Sequence, residues 1–367
     1  MRRIVVVSVV ALFVGISGVA PGASPATVPV AAARTGLPFP VVHLRGGAAH
    51  IASDHAQALA DPIKLLHKEY LQPFFRNASQ RAIAETTAML FAQHLRPEHW
   101  AEVKALADTT GLDLRQIMLA QCFLDLSRLM ACSTVTLPAG AAPDGVARFG
   151  RNLDFPTLNI ADKHSVVLVY HPEDRYQFAV VGWPGMVGVL SGMNEHGLAL
   201  ANMEVARSPR YPAGMPYTLL YRSVLERCRT VDEAVALLEK TPRQTANNLM
   251  LMDATGARAV IELTPADVIV RRGADGTALI STNHQRDQDA QTPGRCRRYD
   301  SIRSTSAEQF GKIDAGAVQR MLAEAAQGNM TMQSMVFEPS TLTMYLAVGA
   351  NAPRQTWHRI DLREYFR

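Results

Sequence analysis

Features that mark specialised protein classes are scarce in this sequence. Only 4 of its 367 residues are cysteine, too few for a disulfide scaffold. Aromatic residues make up 7% and charged residues 19%, and 37 basic against 33 acidic side chains leave a net charge of +4. Because no basic stripe is interleaved with aromatic residues, we expect no nucleic-acid partner. The hydrophobic share of 48% is typical of a folded chain with one large or two ordinary domains.

The N-terminus has the pattern of a targeting segment. Arg2 and Arg3 precede an apolar run from Ile4 to Ala20, which is short for a membrane span and ends in small residues. This pattern predicts a signal peptide over residues 1–26 and an exported protein, periplasmic or secreted, with no stable membrane span after cleavage. An uncleaved N-terminal anchor is the alternative.

Residues 27–131 divide into a linker and a helical segment. The stretch from Pro25 to Pro40 is rich in Ala, Pro and Val and has no period, which is typical of a linker. From Ala49 onward, apolar residues recur at spacings of three and four, which predicts helices. Asp113 followed by Gln116 is a capping box and starts the last of these helices.

The next stretch is predicted to form a hairpin with a long loop. Ser133–Thr136 and Val146–Phe149 are β-prone runs on either side of a cluster of Pro, Gly and Asp. Cys132 opens the first strand, and Gly150–Asp154 closes the second. A thiol, an arginine and a carboxylate therefore come to the same end of the hairpin.

Arg151 and Asp154 give Cys132 the surroundings of a nucleophile. A nearby guanidinium lowers the pKa of a thiol. If the chain is cut before Cys132, the new α-amine, with an ordinary pKa of roughly 7.7–8.0, is a general base that Asp154 can orient. Residues three apart on a strand face opposite sides, so both can point at Cys132 only if the strand bends, as Pro156 indicates. The alternatives are an inert buried cysteine and a surface ion pair.

The remaining cysteines leave their oxidation state open. Disulfides are permitted in an exported protein, and Cys122, Cys228 and Cys296 are the candidates once Cys132 is set aside. Three candidates leave at least one free thiol, and their pairing is not determined by the sequence.

A cysteine followed, after a hairpin, by Gly150-Arg151-Asn152-Leu153-Asp154 resembles the N-terminal nucleophile (Ntn) amidases related to bile salt hydrolase, penicillin V acylase and acid ceramidase. The layout is most similar to the isopenicillin N acyltransferase-like family, in which a helical pro-segment precedes the cysteine and self-cleavage exposes it. This resemblance implies a cut between Ala131 and Cys132 and a catalytic domain over residues 132–367. It also implies an α+β fold, an αββα four-layer sandwich of two antiparallel sheets. Strands, two helices and further strands downstream agree with this fold and not with βαβ alternation.

One turn resembles a part of the family that supplies an oxyanion donor. The segment Asn194–Leu198 is similar to the family's turn, and a residue at the end of the following strand provides the donor there. The role therefore falls on Asn202, Met203 or Glu204. A backbone N–H donor would tolerate Glu204 where bile salt hydrolases carry asparagine, whereas a side-chain donor would not.

Two more residues are assigned by resemblance near the end of a predicted strand. Asn283, after Thr282, is similar to the family's side-chain oxyanion donor; a simple turn residue is the alternative. Arg298 best matches the family's second active-site arginine, with a solvated basic cluster as the alternative. His284 is what a papain-like Cys–His arrangement would select, but papain-like cysteines begin a helix.

These residues predict a self-cleaving cysteine hydrolase that acts on a linear, non-peptide amide through a thioester. Trp183 and Met186 are candidates for the acyl pocket, and the acyl group, fatty, bile-salt-like or penicillin-like, stays open. We expect a small-molecule amide partner, no metal and no cofactor. Assembly of the two self-cleaved chains is left open. The alternatives are an acyltransferase and a non-catalytic binding protein that retains the fold.

Overall fold

The computed structural model describes residues 36–127, 129–205, 214–286 and 296–367. The signal peptide predicted over residues 1–26 lies outside the described residues. The described strands are β1 Val41–Gly46, β2 Ala131–Leu137, β3 Arg148–Asp154, β4 Val166–Pro172, β5 Phe178–Gly182, β6 Ser191–Asn194, β7 Ala199–Glu204, β8 Asn247–Met252, β9 Arg258–Leu263, β10 Val268–Arg272, β11 Leu279–Ser281, β12 Thr331–Glu338, β13 Thr343–Val348 and β14 His358–Asp361. The described α-helices are α1 Ala48–Leu65, α2 Ala78–Met89, α3 Pro97–Thr110, α4 Leu114–Leu126, α5 Tyr217–Arg227, α6 Val231–Lys240, α7 Arg297–Glu308 and α8 Ala315–Glu324.

The strands form two sheets. The eight-stranded sheet has the order β1-β4-β5-β6-β7-β8-β9-β10, and the six-stranded sheet has the order β11-β2-β3-β12-β13-β14. Neighbouring strands are antiparallel except β1, which runs parallel to β4. The predicted α+β architecture of two sheets with helices is confirmed, and β1 is the parallel exception.

The sheets pack face to face because their strands alternate. Along β2, Thr134 and Thr136 face the eight-stranded sheet, where their hydroxyls lie 3.3 and 3.7 Å from the sulfurs of Met203 and Met250. Val135, on the opposite face, packs in a separate apolar cluster with α7 and α8. Helix α8 approaches β3 so closely that a Cβ on Gly150 would lie 2.7 Å from a Val318 methyl group. The result is a helix, sheet, sheet, helix layering.

The segment before Cys132 shares its core with the rest of the chain. Strand β1 adds an edge to the eight-stranded sheet, and α1 to α4 contribute to the same apolar cluster as its strands. Buried polar contacts also join the two parts: Arg222 of α5 forms an ion pair with Glu102 of α3 at 2.7 Å, and Nε2 of His99 is hydrogen-bonded to the Glu226 carboxylate at 2.9 Å. The helical segment is therefore built into the sandwich.

Local predictions differ in accuracy. Asp113 caps α4 through its side chain, as predicted. Thr230, which with Glu233 has the spacing of a second capping box, caps α6 in the same way. The apolar run Val187–Leu190 predicts a strand, but β6 forms at Ser191–Asn194 instead. Gly188 packs so closely against Thr218, near the start of α5, that a Cβ there would lie 2.3 Å from the Thr218 hydroxyl. In the part of the chain that the structure describes, no helix combines the length and apolar character that crossing a bilayer requires.

Candidate active site

Cys132 lies at the start of β2 and is fully buried. Strand β3 pairs along its whole length with β2, which places Leu153 opposite Cys132 and Asp154 opposite Ala131. Alternation puts the Cys132 thiol on the face of β2 that looks toward the eight-stranded sheet. The predicted hairpin thus holds the thiol between the two sheets.

Arg151 shares that face and acts on the thiol. Its side chain is fully buried, and its Nε donates to the Ser191 hydroxyl at 3.2 Å. Among the described residues, neither Nη atom has a well-formed hydrogen bond, although contact with the Arg151 side chain helps to lower the pKa of the Cys132 thiol. Burial raises the pKa of the Cys132 thiol, the Arg151 charge opposes this, and the Asp154 charge reinforces it, so the net pKa is raised. Cys132 is therefore a protonated thiol at neutral pH in this structure.

Asp154 lies on the opposite face of β3, beside the backbone of the junction. One carboxylate oxygen accepts a hydrogen bond from the Thr331 hydroxyl at 2.5 Å, and the other lies 3.7 Å from Nη1 of Arg298. Burial raises the pKa of Asp154 to about 6, although Thr331, Arg298 and Arg151 oppose the rise. The pairing of β2 and β3 is unbroken through Asp154, so no bend turns both side chains toward the thiol. Arg151 lies on the same face as the thiol, and Asp154 lies on the other face, beside the backbone.

Asn283 and Arg298 hold the backbone of the predicted cleavage junction. The Cys132 N–H donates to Oδ1 of Asn283 at 2.6 Å, and Nδ2 of Asn283 donates to the Met130 carbonyl at 3.2 Å. Arg298, in the first turn of α7, donates to Oδ1 of Asn283 at 3.0 Å, to the Ser133 hydroxyl at 3.3 Å and to the Cys132 carbonyl. Both residues predicted by resemblance thus contact Cys132 directly.

The three oxyanion candidates of β7 occupy different positions. The Asn202 N–H donates to the Leu190 carbonyl at 3.1 Å, so this backbone group already has a partner. Met203 faces the six-stranded sheet. Glu204 lies at the junction: its carboxylate accepts from the Met130 N–H at 2.8 Å, and its carbonyl accepts from Nδ2 of Asn283 at 2.7 Å. Of the three, Glu204 is the residue whose hydrogen bonds reach the predicted cleavage junction.

An apolar cavity opens beside this junction. Its volume, counted as the space that the centre of a water molecule can reach, is about 100 Å³. One water needs roughly 10–15 Å³ by the same measure, so the cavity has room for several methylene groups. Its lining comes from both sides of Cys132: Ile63, Leu66, His67, Tyr70, Leu71, Ile117, Ala120, Gln121, Phe123, Leu124 and Met130 precede it, and Leu153, Phe155, Trp183, Pro184, Gly185, Met186, Leu190 and Thr218 follow it. Trp183 and Met186, the sequence's candidates for an acyl pocket, both line this cavity.

His284 contacts a different cysteine. Its Nδ1 lies 3.0 Å from the Thr282 hydroxyl, which lies 3.5 Å from the Cys296 sulfur. Burial alone would raise the pKa of Cys296, but hydrogen bonds with His284 and Thr282 lower it to about 6. The groups that act on the Cys132 thiol are Arg151 and Asp154. A papain-like pairing of Cys132 with His284 is not what the structure contains, and all four cysteines are free thiols.

One group among the described residues has the spacing of a metal site. Ligand atoms of Glu98, His99 and Glu226 lie within 4.8 Å of one another. Arg175 contacts both carboxylates, at 3.3 and 3.7 Å, and Arg222 lies 2.9 Å from Glu226. Salt bridges therefore already neutralise these carboxylates.

Comparison with known families decides the relationship. The family model described as acyl-coenzyme A:6-aminopenicillanic acid acyl-transferase matches residues 141–353, more than half of the chain. The chain belongs to this family. The resemblance to Ntn amidases and acyltransferases is thereby confirmed. The matched range contains Arg151, Asp154, Asn283 and Arg298, and Cys132 lies just before it.

Curated relatives share parts of the sequence. Protein dcd1A of Dictyostelium discoideum is 25% identical over 46% of this chain and 41% of its own length. An N-acylethanolamine-hydrolyzing acid amidase of Oryctolagus cuniculus is 22% identical over 72% of this chain and 76% of its own. The chain thus spans about two fifths of the length of dcd1A. A solved variant of conjugated bile acid hydrolase from Clostridium perfringens is 16% identical, with a TM-score of 0.49 over 64% of this chain and 93% of that one.

Several contacts at the site carry no sequence signal. Thr331, which binds Asp154, lies in β12, and Ser191, which binds Arg151, starts β6. Neither belongs to a local motif, because each reaches the site only through sheet pairing or packing. The alternation of β3 was a usable signal: it places Arg151 and Asp154 on opposite faces, as the structure shows.

Proposed function

We propose that the chain is an N-terminal cysteine amidase that cuts itself between Ala131 and Cys132 and then hydrolyses a linear, non-peptide acyl amide. The observation that carries this proposal is the set of contacts around Cys132. Asn283 accepts its N–H, Arg298 binds its carbonyl, and Arg151 acts on its thiol. A buried structural cysteine needs none of these contacts.

Self-cleavage uses the thiol that the site holds in place. The Cys132 sulfur attacks the Ala131 carbonyl carbon, the peptide C–N bond breaks, and the thiol proton ends on the Cys132 nitrogen. Water then hydrolyses the thioester and leaves a carboxylate on Ala131 and a free α-amine on Cys132. Asp154, opposite Ala131 in the strand pair, lies on the side where it can orient that amine.

Turnover uses the new amine as the base. It takes the thiol proton, sulfur attacks the amide carbonyl, and the proton passes to the leaving amine as the thioester forms. Nδ2 of Asn283, which binds the Met130 carbonyl in the uncut chain, becomes available to the oxyanion once residues 130 and 131 withdraw. We assign the second donor to a backbone N–H near Asn202, at the end of β7.

The cavity favours an apolar acyl group. Its lining is dominated by aliphatic and aromatic side chains, and Met130, two residues before Cys132, forms part of its wall. Met130 belongs to the acyl half of the peptide bond that is cut. A medium-length acyl chain in the same cavity would place its carbonyl near the thiol.

The two products of self-cleavage are proposed to stay together. Strand β1 and buried pairs such as Glu102 with Arg222 belong to opposite sides of the cut and share one core. We further propose that residues 1–26 are removed on export to the periplasm or medium, that residues 27–131 act as the pro-segment, and that residues 132–367 act as the catalytic chain.

The second candidate is an acyltransferase, favoured by the description of the matching family model. It shares every step up to the thioester and differs in that an amine, rather than water, accepts the acyl group. Adding a nucleophilic amine to a turnover assay and measuring the partition between acid and new amide separates the two. Acyl transfer would be assigned if the share of new amide rises with the amine concentration and no free acid forms.

The amine can be tested by shifting it. Two precursors carry a protease site at the junction, one cut to leave Cys132 first and the other to leave an extra glycine before it. The added residue turns the Cys132 nitrogen into an amide and moves the amine by about 3.3–3.6 Å, out of proton-transfer reach. We expect the extended form to be folded, with equal circular dichroism and thermal midpoint, but nearly inactive. Equal rates would mean that a side chain is the base and would overturn the proposed mechanism.

A further inference from the structure

The polar groups of the cavity wall differ in whether they are already paired. Two aromatic side chains spend their donors on the protein: the Tyr70 hydroxyl donates to the Pro156 carbonyl at 2.7 Å, and the Trp183 indole donates to the Ala161 carbonyl at 2.8 Å. Neither donor is therefore available to a ligand without breaking an existing bond.

Gln121 and Thr218, also on the wall, are occupied in the same way. The Gln121 amide donates to the Gly185 carbonyl at 2.9 Å and accepts from the Val187 N–H at 2.8 Å. The Thr218 hydroxyl donates to the Gln121 carbonyl at 3.4 Å. These polar side chains shape the cavity, and their hydrogen bonds hold its wall together.

His67 is different. It lines the cavity, only 6% of it is exposed, and neither ring nitrogen has a hydrogen-bond partner among the described residues. It lies in the π-helical turn Leu66–Leu71 that continues α1, an irregular geometry that is frequent at functional sites. A buried polar group without a partner is costly, and such a group in a ligand cavity points to a polar group on the ligand.

The ring of His67 is neutral at physiological pH. Burial lowers the pKa of His67, and weak contacts with the backbone of Gln116 and of His67 itself only partly oppose this. A neutral imidazole has one N–H donor and one acceptor nitrogen. A hydroxyl group, which both donates and accepts, suits either nitrogen, whereas a charged group would be buried in an apolar cavity without a counter-ion.

We propose that His67 is a specificity residue that binds a hydroxyl group on the acyl chain of the substrate, which is therefore an amide of a hydroxylated, medium-length fatty acid. This inference rests on the proposed function for the identity of the cavity as the acyl site. It also assigns part of the specificity to the segment that precedes Cys132, because His67 lies on the N-terminal side of the cut.

Binding measured without catalysis tests this proposal. The probes are dodecanamide and a series of its analogues that carry one hydroxyl at successive carbons, and the protein is the full chain with Cys132→Ala. Trp183 lines the cavity, so quenching of its fluorescence reports occupancy, with Trp183→Phe as the background. We expect one hydroxylated member to bind about 10- to 100-fold more tightly than dodecanamide, the range that follows from leaving a buried polar group unpaired.

Matched variants assign the preference to a residue. His67→Leu should lose the preference and bind dodecanamide at least as tightly as the parent does. His67→Gln, which keeps a donor and an acceptor, should retain part of the preference. Tyr70→Phe removes a hydroxyl that is already paired and should retain all of it.

The outcomes separate this inference from the function on which it rests. Absence of any preferred member, failure of the whole series to bind, or a preference that survives in His67→Leu would each overturn the role of His67. A chain that never cuts itself but shows the preference, lost in His67→Leu, would contradict the proposed amidase and leave the hydroxyl site standing.

Discussion

Arg151 and Asp154 lie three residues apart on β3 and face opposite sides of the sheet. Arg151 is directed toward the thiol of Cys132, whereas Asp154 lies beside the backbone of the junction together with Arg298. The strand therefore separates two tasks. One residue favours the thiolate, and the other lies where the proposed cut would leave the α-amine of Cys132.

Replacing Arg151 should slow self-cleavage by raising the pKa of the thiol further. Arg151 is the cation that opposes the effect of burial on Cys132. We expect Arg151→Met to slow the cut at neutral pH by about tenfold or more, since one pKa unit is a tenfold change in thiolate. The rate is measured by pulse labelling during cell-free synthesis. Arg151→Lys, which keeps the charge, should be intermediate, and two variants as fast as the parent would remove the role of Arg151.

The rate of self-cleavage should depend on the ionisation of Asp154. Its pKa is raised to about 6 by burial, so the carboxyl is neutral below this pH and charged above it. We expect the rate to rise with pH and to show an inflection near 6, because only the charged form can orient the developing amine. Asp154→Asn should be slow at every pH and lack that inflection. If the inflection persists in Asp154→Asn, another group causes it.

Asn283 should be needed for turnover more than for folding. Asn283→Ala in a chain cut by an added protease should lower kcat by about 10²–10³, the usual loss for one oxyanion donor. Asn283→Asp keeps the acceptor for the Cys132 N–H but loses the Nδ2 donor, so it should be similarly impaired. Both variants should retain the thermal midpoint within a few degrees. Full activity of Asn283→Asp would show that Nδ2 does not contact the oxyanion.

The buried ion pair of Glu102 and Arg222 should hold the two fragments together after the cut. Both side chains are 1% exposed, and breaking such a pair costs about 3–5 kcal/mol of stability. We therefore expect Glu102→Leu to lower the urea concentration at which the cut fragments separate in size-exclusion chromatography.

The neighbouring pair of Glu98 and Arg227 is the matched control. It also joins the two fragments, but it is partly exposed, and such pairs are worth about 0–1 kcal/mol. Glu98→Gln should leave the separation almost unchanged. An equally small shift in both variants would show that the buried ion pair does not hold the fragments together, which would leave apolar packing to do so.

The site could be predicted from sequence where it depends on local pattern. The hairpin follows from β-prone runs around a loop, and Gly150–Asp154 carries the motif of the family. The roles of Asn283 and Arg298 could be predicted only from the resemblance to the family. Nothing in their own neighbourhoods shows that they meet at the N–H and carbonyl of one cysteine, 151 and 166 residues away in the chain.

What depends on long-range pairing could not be predicted. Strand β1 is short and joins β4 more than a hundred residues later, so its own sequence does not indicate its partner. The hydrogen bond from the Asn202 N–H to the Leu190 carbonyl depends on the register of β6 and β7. His67 has no sequence signal at all, because its importance comes from a cavity that two distant parts of the chain enclose.

The most direct test of the central claim is the intact mass of the purified chain under denaturing conditions, compared with that of Cys132→Ala. We predict two species in the parent, one ending at Ala131 and one covering residues 132–367 with Cys132 as its first residue, and a single species in the variant. The junction sequence is read from the N-terminus of the larger fragment. A parent chain that remains one species after prolonged incubation at neutral pH would contradict the account.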